Sequence, residues 1–420
     1  MNNLLTLRSN NFRVAYMQDL LVRYSQLNHD ALKVLWYDDA LIKIFRCEFE
    51  KIFPINIELV PSLECNLSCP HCTYINWKKN TNEYCGKRFM SYEHMKNIID
   101  KCNSFGVNGI TFTGGGEPFL NKDTIKALKY ADLQNMANIG VFTNGTTLNE
   151  FQISQLSELR LSFFRISINT IFREKYFQFH GISNNYFFDS VLRNIEIAGR
   201  KFSLSGSNVS FGLAVVINEV NVDDIEAIGR FCQRMFEKNS NFKLDYITIR
   251  PVVNYGQIDK NLDSQITEYI SKKAIESYFI IKEILKPYPI IVRISDDYFN
   301  NVSETRKTID KKCIGSALCA SIAYDGNVYL CSEHNGDHEF YIGNLVESSF
   351  EEIWNSERRK FVLNTVHDCP PVCKINKFNK LLHDLMQYGE LTDIEIDEIN
   401  SFLAEMRKSL LPEKISFLSW

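Results

Sequence analysis

The chain has little of what would place it in a membrane or on a nucleic acid. No apolar run approaches the roughly 20 residues that cross a bilayer, and the start, Met1-Asn2-Asn3-Leu4-Leu5, lacks the basic and then apolar stretch of a signal peptide. An excess of one charge is also lacking, because 47 Lys and Arg residues face 51 Asp and Glu residues. We therefore expect a cytoplasmic protein with neither a membrane nor a nucleic acid as partner.

Cysteine, in contrast, is plentiful. The 420 residues include 12 cysteines, and 45% of the residues are apolar, which is enough for a sizeable core in two or three domains. In a reducing compartment, clustered cysteines bind metal or take part in chemistry more often than they form disulfides. The cysteines are therefore the first candidates for a functional site.

Short β-rich runs alternate with amphipathic stretches in the first part of the chain, which predicts βαβ units and a parallel sheet. Six strands are predicted, at residues 55–60, 109–113, 139–143, 163–168, 209–217 and 244–250. Helices are predicted between them at residues 92–105, 122–135, 149–159, 187–199 and 222–236. This pattern predicts an α/β fold with a partial (β/α)6 TIM-like barrel, in which the active site lies at the carboxyl ends of the strands.

Five segments are predicted along the chain. Residues 1–52 form an N-terminal helical segment, 53–260 the partial barrel, and 261–310 a helical connector that ends with a short strand at 290–294. Residues 311–375 form a cysteine-containing module, and residues 376–420 form a C-terminal helical tail.

Three cysteines follow the first predicted strand. Cys65, Cys69 and Cys72 have the spacing C-x3-C-x2-C in a loop at its carboxyl end. Thiolates are the usual ligands of iron–sulfur clusters, and three thiolates on a four-iron cubane leave one iron open to a small molecule. A zinc site with His71 as fourth ligand is the alternative, although a ring that lies between two ligands is poorly placed to reach the same ion.

A glycine motif follows the second predicted strand, where Gly114, Gly115 and Gly116 precede Glu117 and Pro118. Glycines let a backbone approach a ligand closely. The exposed amides and carbonyls of such a segment can hydrogen-bond an ammonium group, and Glu117 adds a charge partner. A tight turn between strand and helix is the alternative.

Together, the cysteine loop and the glycine motif resemble the signatures of the radical S-adenosylmethionine superfamily. The resemblance implies that Cys65, Cys69 and Cys72 hold a [4Fe–4S] cluster whose open iron binds S-adenosylmethionine. It implies that reductive cleavage of this cofactor gives a 5′-deoxyadenosyl radical, which takes a hydrogen atom from the substrate. In the family, the glycine motif holds the methionyl amine. A bulky or aromatic residue usually stands at the position of His71, and Tyr74 follows closely.

Polar side chains end the third and fourth predicted strands. The resemblance assigns Asn144, Ser167 and Asn169 to the ribose or the carboxylate of the cofactor, and it lets Arg173 neutralise the carboxylate. A turn or capping role is the alternative for each of these residues. Two further active-site candidates are Arg250, which ends the sixth strand, and Cys85, which lies in the loop after the first cysteines.

Four distant cysteines form a second set. Cys313 is followed after twelve residues by Gly326 and after four more by Cys331, and Cys369 and Cys373 are spaced C-x3-C. The pattern resembles the SPASM/Twitch extensions of radical enzymes. Four cysteines imply the one-cluster Twitch form, with a second [4Fe–4S] cluster that has no open iron and passes electrons. A structural cluster or a zinc site is the alternative.

Two structural predictions accompany this module. The dipeptide Asp325-Gly326 between alternating apolar residues predicts a β-hairpin. Residues 350–362 are predicted to form a helix between Cys331 and the last cysteine pair.

Three hypotheses of function remain open. The first is a radical enzyme that removes a hydrogen atom from a small metabolite and completes a net oxidation or rearrangement. Because the one-cluster extension resembles that of 2-deoxy-scyllo-inosamine dehydrogenase and related aminoglycoside enzymes, a sugar or aminocyclitol is a candidate substrate. The second is a maturase that modifies a precursor peptide, although residues 1–52 lack the strand pattern of a leader-binding winged helix. The third is a non-catalytic metal-binding module. The first two need a reductant such as flavodoxin or ferredoxin.

Overall fold

The computed structural model describes residues 9–27, 31–74, 77, 88–252, 264–294, 312–367, 369, 373, 375–387 and 389–409. Cys85 lies outside these ranges, as do most of the loop at 76–89 and residues 261–263 and 295–310 of the connector. Across the described residues the chain forms ten β-strands and thirteen α-helices.

The ten strands form a single sheet in the order β10-β9-β8-β1-β2-β3-β4-β5-β6-β7. Their bounds are β1 Asn56–Leu59, β2 Gly109–Phe112, β3 Asn138–Thr143, β4 Phe163–Ser167, β5 Ser210–Ile217, β6 Tyr246–Pro251, β7 Ile291–Ile294, β8 Cys319–Ile322, β9 Asn327–Tyr329 and β10 Tyr341–Asn344. The strands β8 and β1 to β7 pair in parallel, whereas β9 and β10 are antiparallel to their neighbours.

Helices connect the parallel strands and flank the sheet at both ends of the chain. Their bounds are α1 Phe12–Leu27, α2 Asp38–Phe45, α3 Tyr92–Ser104, α4 Thr124–Leu133, α5 Glu150–Ser157, α6 Arg173–His180, α7 Asn185–Leu204, α8 Ile225–Lys238, α9 Ser264–Leu285, α10 Phe350–Trp354, α11 Glu357–Asn364, α12 Asn376–Leu385 and α13 Asp393–Ser409. Side chains cap several of them. The Ser91 hydroxyl, for example, accepts a hydrogen bond from the His94 amide at the start of α3.

The two faces of the sheet differ in polarity, and β4 makes the difference clear. Phe164 faces the helices, because its ring packs against Phe202 of α7 with centroids 5.4 Å apart. Successive strand residues point to opposite faces, so Arg165 and Ser167 lie on the other, concave face. The polar side chains of the parallel strands are thus gathered inside the partial barrel.

The helices at the two ends of the chain pack together. Helix α1 contacts α12 and α13. The Trp354 indole N–H donates to the Ile52 carbonyl at 2.8 Å. The buried Arg359 guanidinium stacks on Trp354 at 3.9 Å and donates to the Glu50 carbonyl at 2.8 Å. The N-terminal helices therefore share their core with the C-terminal region. The predicted division into five segments stays a prediction.

The predicted α/β architecture is confirmed, and each of the six predicted strands is present within two residues of its predicted ends. The sheet is larger than predicted, because β7 pairs with β6 and β8 pairs with β1. A six-stranded open sheet would leave unpaired backbone groups at both edges, and these two strands cover them. The predicted hairpin is present as β8 and β9, and the helix predicted at 350–362 is divided into α10 and α11.

None of the helices in the described part of the chain combines the length and the hydropathy that crossing a bilayer requires.

Candidate active site

The cysteine loop, residues 62–72, follows β1, and its first residues are hydrogen-bonded to the glycine motif. The Gly116 amide donates to the Ser62 carbonyl at 2.9 Å, and the Glu117 amide donates to the Glu64 carbonyl at 2.8 Å. The Glu64 carboxylate pairs with Arg88 at 2.6 Å. The two predicted motifs therefore meet along their backbones at the carboxyl ends of β1 and β2.

The loop is also held by the end of β3 and by helix α6. The Asn144 amide group donates to the Asn66 side-chain oxygen at 3.0 Å, and Asn66 donates to the Thr146 hydroxyl at 2.7 Å. On the other side, the Ser68 amide donates to the His180 carbonyl at 2.9 Å. Cys65, Cys69 and Cys72 are all half-buried and free of disulfides.

The glycine motif leaves no room for side chains. A Cβ atom on Gly116 would lie 2.0 Å from the Glu64 carbonyl oxygen, and one on Gly114 would lie 2.0 Å from the Gly116 carbonyl oxygen. A Cβ on Gly115 would lie 2.6 Å from both Leu63 and Trp77. All of these distances are shorter than any ordinary contact. The contact with the backbone before Cys65 requires glycine at position 116, whereas Gly114 is required by the fold of the motif itself and Gly115 by the packing of Leu63 and Trp77.

Glu117 links the carboxyl ends of β2 and β3. Its buried carboxylate accepts hydrogen bonds from the Thr143 hydroxyl at 2.5 Å, the Asn144 amide at 2.7 Å and the Phe119 amide at 3.2 Å. Burial raises the pKa of Glu117 from 4.5 to about 7, although these three hydrogen bonds oppose the rise. Its predicted contact with an ammonium group stays a prediction, because the structure assigns both of its oxygens to the protein.

The raised pKa of Glu117 predicts a pH-dependent stability. The unfolded carboxyl ionises near 4.5 and the folded one near 7, so its contribution to stability is full below the lower value and is lost as pH rises through the higher one. Between pH 5 and pH 8, the metal-free wild type should lose about 2 kcal/mol more stability than Glu117→Gln. Urea unfolding at the two pH values measures this difference. The exposed variant Glu158→Gln should follow the wild type, and equal pH profiles for Glu117→Gln and wild type would contradict the prediction.

His180 is a site residue that the sequence did not indicate. Its Nδ1 atom lies 3.1 Å from the Cys69 sulfur, and the side chain is only 4% exposed. A thiolate can only accept a hydrogen bond, so a cluster-bound Cys69 requires the proton on Nδ1. The other ring nitrogen, Nε2, is buried without a hydrogen-bond partner in the described structure, and this fits an unprotonated nitrogen better than an N–H donor.

The contact between His180 and Cys69 predicts an effect on the reduction potential of a cluster held by the loop. Hydrogen bonds to the sulfurs help to set this potential, because an N–H donor stabilises the more negative reduced state. In reconstituted protein, His180→Phe should lower the midpoint potential, whereas His180→Asn, which keeps a donor near the Nδ1 position, should lower it less. A redox titration followed by electron paramagnetic resonance measures both values. The same potential in His180→Phe and wild type would contradict this role.

Two predicted residues flank the loop and contact aromatic rings. The His71 ring meets Phe179 with centroids 4.2 Å apart, and burial lowers the pKa of His71 to about 4. The Tyr74 ring is 6.0 Å from the Trp77 ring. Both predicted residues therefore line the edge of the loop, and their contact with a cofactor stays a prediction.

Trp77 is the second residue that the sequence did not indicate. It packs beneath Gly115, and a Cβ on Gly336, where φ is +85°, would lie 2.2 Å from the Trp77 ring. The rings of Tyr324 and Tyr329 lie 6.1 and 6.4 Å away. Trp77 therefore joins the glycine motif to the cysteine module around β8 and β9.

The predicted residues at the ends of β4 and β6 have different surroundings. The Asn169 side-chain oxygen accepts from the Val216 amide at 2.8 Å, so Asn169 ties β4 to β5. Arg173 pairs with Asp189 at 2.7 Å on the exposed side of α6 and α7, and its expected place beside a cofactor carboxylate stays a prediction. Ser167 and Arg250 both lie on the concave face, where they have no hydrogen-bond partner within the described residues.

The second set of cysteines converges as the spacing predicts. Cys313, Cys331, Cys369 and Cys373 line one cavity, and Cys319 does not. Burial raises the pKa of the Cys331 thiol well above its usual value, and the other thiols add to the rise. His334 also lines this cavity, with Nε2 3.8 Å from the Cys369 sulfur. A pocket with four thiols has the donor set that a four-iron cluster needs.

The described residues contain no group of three or more His, Cys, Asp or Glu side chains arranged around a single metal ion. In a cubane, by contrast, each thiolate binds a different iron. The first cysteine group offers three thiolates beside a backbone without side chains, and the second offers four thiolates around a cavity. These donor sets fit the two predicted clusters.

Two families of known proteins match the chain. The Radical SAM superfamily matches residues 59–232, which span β1 to α8. A family described as an iron–sulfur cluster-binding domain, SPASM, matches residues 313–376, which include all four cysteines of the second set.

Curated relatives match part of their own length. Fe-coproporphyrin III synthase of Methanosarcina barkeri is 30% identical over 212 residues, which are 50% of this chain and 47% of that protein. A probable GTP 3′,8-cyclase of Pyrococcus horikoshii is 29% identical over 176 residues, which are 42% of this chain and 51% of that protein. The chain thus spans about half the length of these two relatives.

Among solved structures, Streptococcus suis SuiB bound to the precursor peptide SuiA has a TM-score of 0.57 at 14% identity, and the match covers 79% of this chain and 72% of that one. This is a likeness of fold. Two family domains match the chain, its cysteine loop is hydrogen-bonded to the glycine motif, and four thiols line one cavity. The chain therefore belongs to the radical S-adenosylmethionine superfamily and carries a C-terminal SPASM domain.

Proposed function

We propose that this radical SAM enzyme cleaves S-adenosylmethionine reductively and removes a hydrogen atom from a carbon of a small metabolite, with net oxidation or rearrangement. The observation that carries the proposal is the backbone contact between the cysteine loop and the glycine motif. It places three thiols next to a backbone segment that carries no side chains. When bound, the cluster and cofactor supply an electron and a carbon-centred radical.

The residues of this chain have distinct tasks in the proposal. Cys65, Cys69 and Cys72 hold the cluster, and His180 donates to one of its sulfurs. The backbone of the glycine motif receives the methionyl group, and the free hydroxyl of Ser167 serves the ribose or the carboxylate. Glu117 keeps the ends of β2 and β3 at a fixed distance from the loop.

The second cluster is assigned to electron transfer. Four thiolates, from Cys313, Cys331, Cys369 and Cys373, leave no iron open to substrate. Trp77 packs between the glycine motif and the module that holds these cysteines, so the two sites are parts of one packed body. A flavodoxin or ferredoxin supplies the electrons, and oxygen-sensitive clusters agree with the expected cytoplasmic location.

Two observations bear on the choice between a small molecule and a peptide. The names of the two sequence relatives contain coproporphyrin III and GTP, which are small molecules. Within the described residues before β1, the secondary structure is helical and includes no strand, so this part lacks the wing of a winged helix.

Modification of a precursor peptide is the second candidate function, and the fold likeness to SuiB bound to SuiA supports it. A short open reading frame beside the gene that encodes a precursor peptide would favour this candidate. A non-catalytic metal-binding module is the third, and the match of residues 59–232 to the Radical SAM superfamily argues against it.

Anaerobic reconstitution tests the proposal. We expect about eight irons per chain, in two cubanes, and formation of 5′-deoxyadenosine that requires both S-adenosylmethionine and a reductant. A chain that binds zinc alone and never forms 5′-deoxyadenosine would refute both the metabolite and the peptide candidate.

A further inference from the structure

The concave face of the barrel carries an arginine, Arg165, that has no salt bridge with any described residue. Arg165 of β4 lies opposite Phe142 of β3 and Gly212 of β5 in the register. Its guanidinium lies 3.8 Å from the centroid of the Phe142 ring. Among the described residues, Arg165 makes neither a hydrogen bond nor a salt bridge, so all five of its N–H donors are available to a ligand.

The buried hydroxyl of Tyr246 lies on the same side of the sheet as Arg165. Gly212 pairs with Tyr246 of β6, and a Cβ on Gly212 would lie 2.1 Å from the Tyr246 ring. The ring therefore lies across β5, and Gly212 is the residue that lets it do so. The side chain is 5% exposed, and its hydroxyl is buried without a hydrogen-bond partner in the described structure. An unsatisfied buried hydroxyl is costly and calls for a missing partner.

A second arginine, Arg250, lies nearer the carboxyl rim of the sheet than Arg165 and Tyr246. Arg250 is four residues after Tyr246 on the same strand and so has its side chain on the same face. It too has no hydrogen bond or ion pair with a described residue. Burial lowers the pKa of Arg165 to about 10, the Tyr246 hydroxyl opposes this, and the nearby positive charge of Arg250 lowers it further. The Arg165 guanidinium therefore remains charged at neutral pH.

The charge balance of this face favours an anion. The acidic residue that acts on Arg165 is Glu58 of β1, which is buried and has other contacts of its own. A third guanidinium, that of Arg293 on β7, lies 5.9 Å from the centroid of the Tyr246 ring and has other contacts of its own. Arg165 and Arg250 therefore face one carboxylate, and positive charge is in excess in a partly desolvated space, where an isolated charge is costly. The guanidinium fork matches the oxygens of a carboxylate or phosphate, with which it forms strong paired hydrogen bonds.

We infer that Arg165, Arg250 and Tyr246 form a binding site for the carboxylate or phosphate of an anionic substrate, on the concave face beneath the carboxyl rim of the sheet. The inference rests on the proposed function, which places the substrate inside the barrel, and it adds the chemical class of that substrate. In the strand register, Ser167 is one layer nearer the carboxyl rim than Arg165 and Tyr246, and Arg250 is one layer nearer than Ser167. An anion bound by both arginines therefore lies beside the proposed cofactor position. An aminocyclitol, whose ammonium groups are positive, does not match this site.

Calorimetric titration of the reconstituted enzyme with pyrophosphate and with citrate tests the inference, and each titration is repeated with saturating S-adenosylmethionine. We expect saturable binding of at least one probe, with little change when the cofactor is present. Loss of a charged hydrogen-bond donor should weaken binding about 10-fold or more in Arg165→Gln and Arg250→Gln. Tyr246→Phe, which loses a neutral donor, should weaken it about 3-fold to 5-fold.

The matched control is Arg160→Gln, which removes an exposed arginine that pairs with Asp132 outside the concave face. It should bind the probes like the wild type. If Arg165→Gln does not fold, Arg250→Gln at its exposed position and Tyr246→Phe carry the test.

Three outcomes would overturn the inference. One is no saturable binding of either probe, and another is equal binding by the Arg165, Arg250 and Arg160 variants. The third is probe binding that disappears with S-adenosylmethionine, together with weaker cofactor binding by Arg165→Gln, which would assign the site to the carboxylate of the cofactor. Formation of 5′-deoxyadenosine in the same wild-type samples separates the two proposals. Cleavage without probe binding refutes only the inference, and probe binding without cleavage refutes only the proposed function.

Discussion

Replacement of Cys65, Cys69 or Cys72 by alanine should abolish reductive cleavage of S-adenosylmethionine. The loop supplies three thiolates, and a cubane with an open iron needs all three. Each variant should retain about half of the wild-type iron, because the four-thiol cavity is lined by other residues. Iron content and 5′-deoxyadenosine are measured after anaerobic reconstitution. Loss of all iron in these variants would contradict the independence of the two sites.

The complementary variants test the second cluster. Cys331→Ala or Cys373→Ala should also halve the iron content, yet should spare cofactor cleavage and end turnover of the substrate. Cys232→Ala is the matched control, since Cys232 is a buried cysteine of α8 outside both sites. It should keep about eight irons per chain and full cleavage. If Cys331→Ala lost cleavage as completely as Cys69→Ala, the assignment of separate tasks to the two clusters would be wrong.

The parts of the site that are local in sequence could be predicted from it. The spacing of Cys65, Cys69 and Cys72 and the run of three glycines are each contained within eight residues, and the alternation of strands and helices placed both at the carboxyl ends of neighbouring strands. The four cysteines of the second set were also predicted to converge, because their spacing resembled a known extension. The structure confirms that they line one cavity.

The contacts that depend on register or on helix docking could not be predicted. His180 is 111 residues from Cys69 in the chain, and no local pattern distinguishes it from an ordinary helix C-terminal histidine. The salt bridge of Arg173, in the first turn of α6, with Asp189 of α7 was not predicted either. The sequence also does not reveal that a ring from β6 crosses Gly212 toward Arg165. That arrangement follows from parallel pairing of three strands.

Glu117 shows that a residue predicted to bind a ligand can also have a structural role. Its position after the glycines suggested a charge partner for a ligand. In the structure its carboxylate links the end of β2 to the end of β3, and its burial raises its pKa. The cysteine loop is hydrogen-bonded to the same two strand ends. A change in the hydrogen bonds of Glu117 should therefore alter the position of the thiols relative to the glycine motif.

Gly116→Ala should therefore have an effect as large as loss of a cysteine. The added Cβ would lie 2.0 Å from the Glu64 carbonyl oxygen and 2.5 Å from its carbon. These are backbone atoms one residue before Cys65, so the clash can be relieved only by moving the cysteine loop or the end of β2. A shift of about 1 Å or more is needed to restore an ordinary contact distance. We expect the variant to lose the first cluster and cofactor binding, and to keep the second cluster.

Gly206→Ala separates this effect from the general cost of replacing a glycine. Gly206 has a φ of +64° and no atom within 4 Å of an added Cβ, so alanine there costs about 1 kcal/mol of backbone strain without a clash. This variant should unfold at a lower urea concentration and still hold about eight irons. Gly116 has no positive φ, so its variant tests space alone. If Gly116→Ala kept full iron and cofactor affinity, the close approach of the two motifs would not be what positions the cluster. That result would contradict the observation on which the proposed function is based.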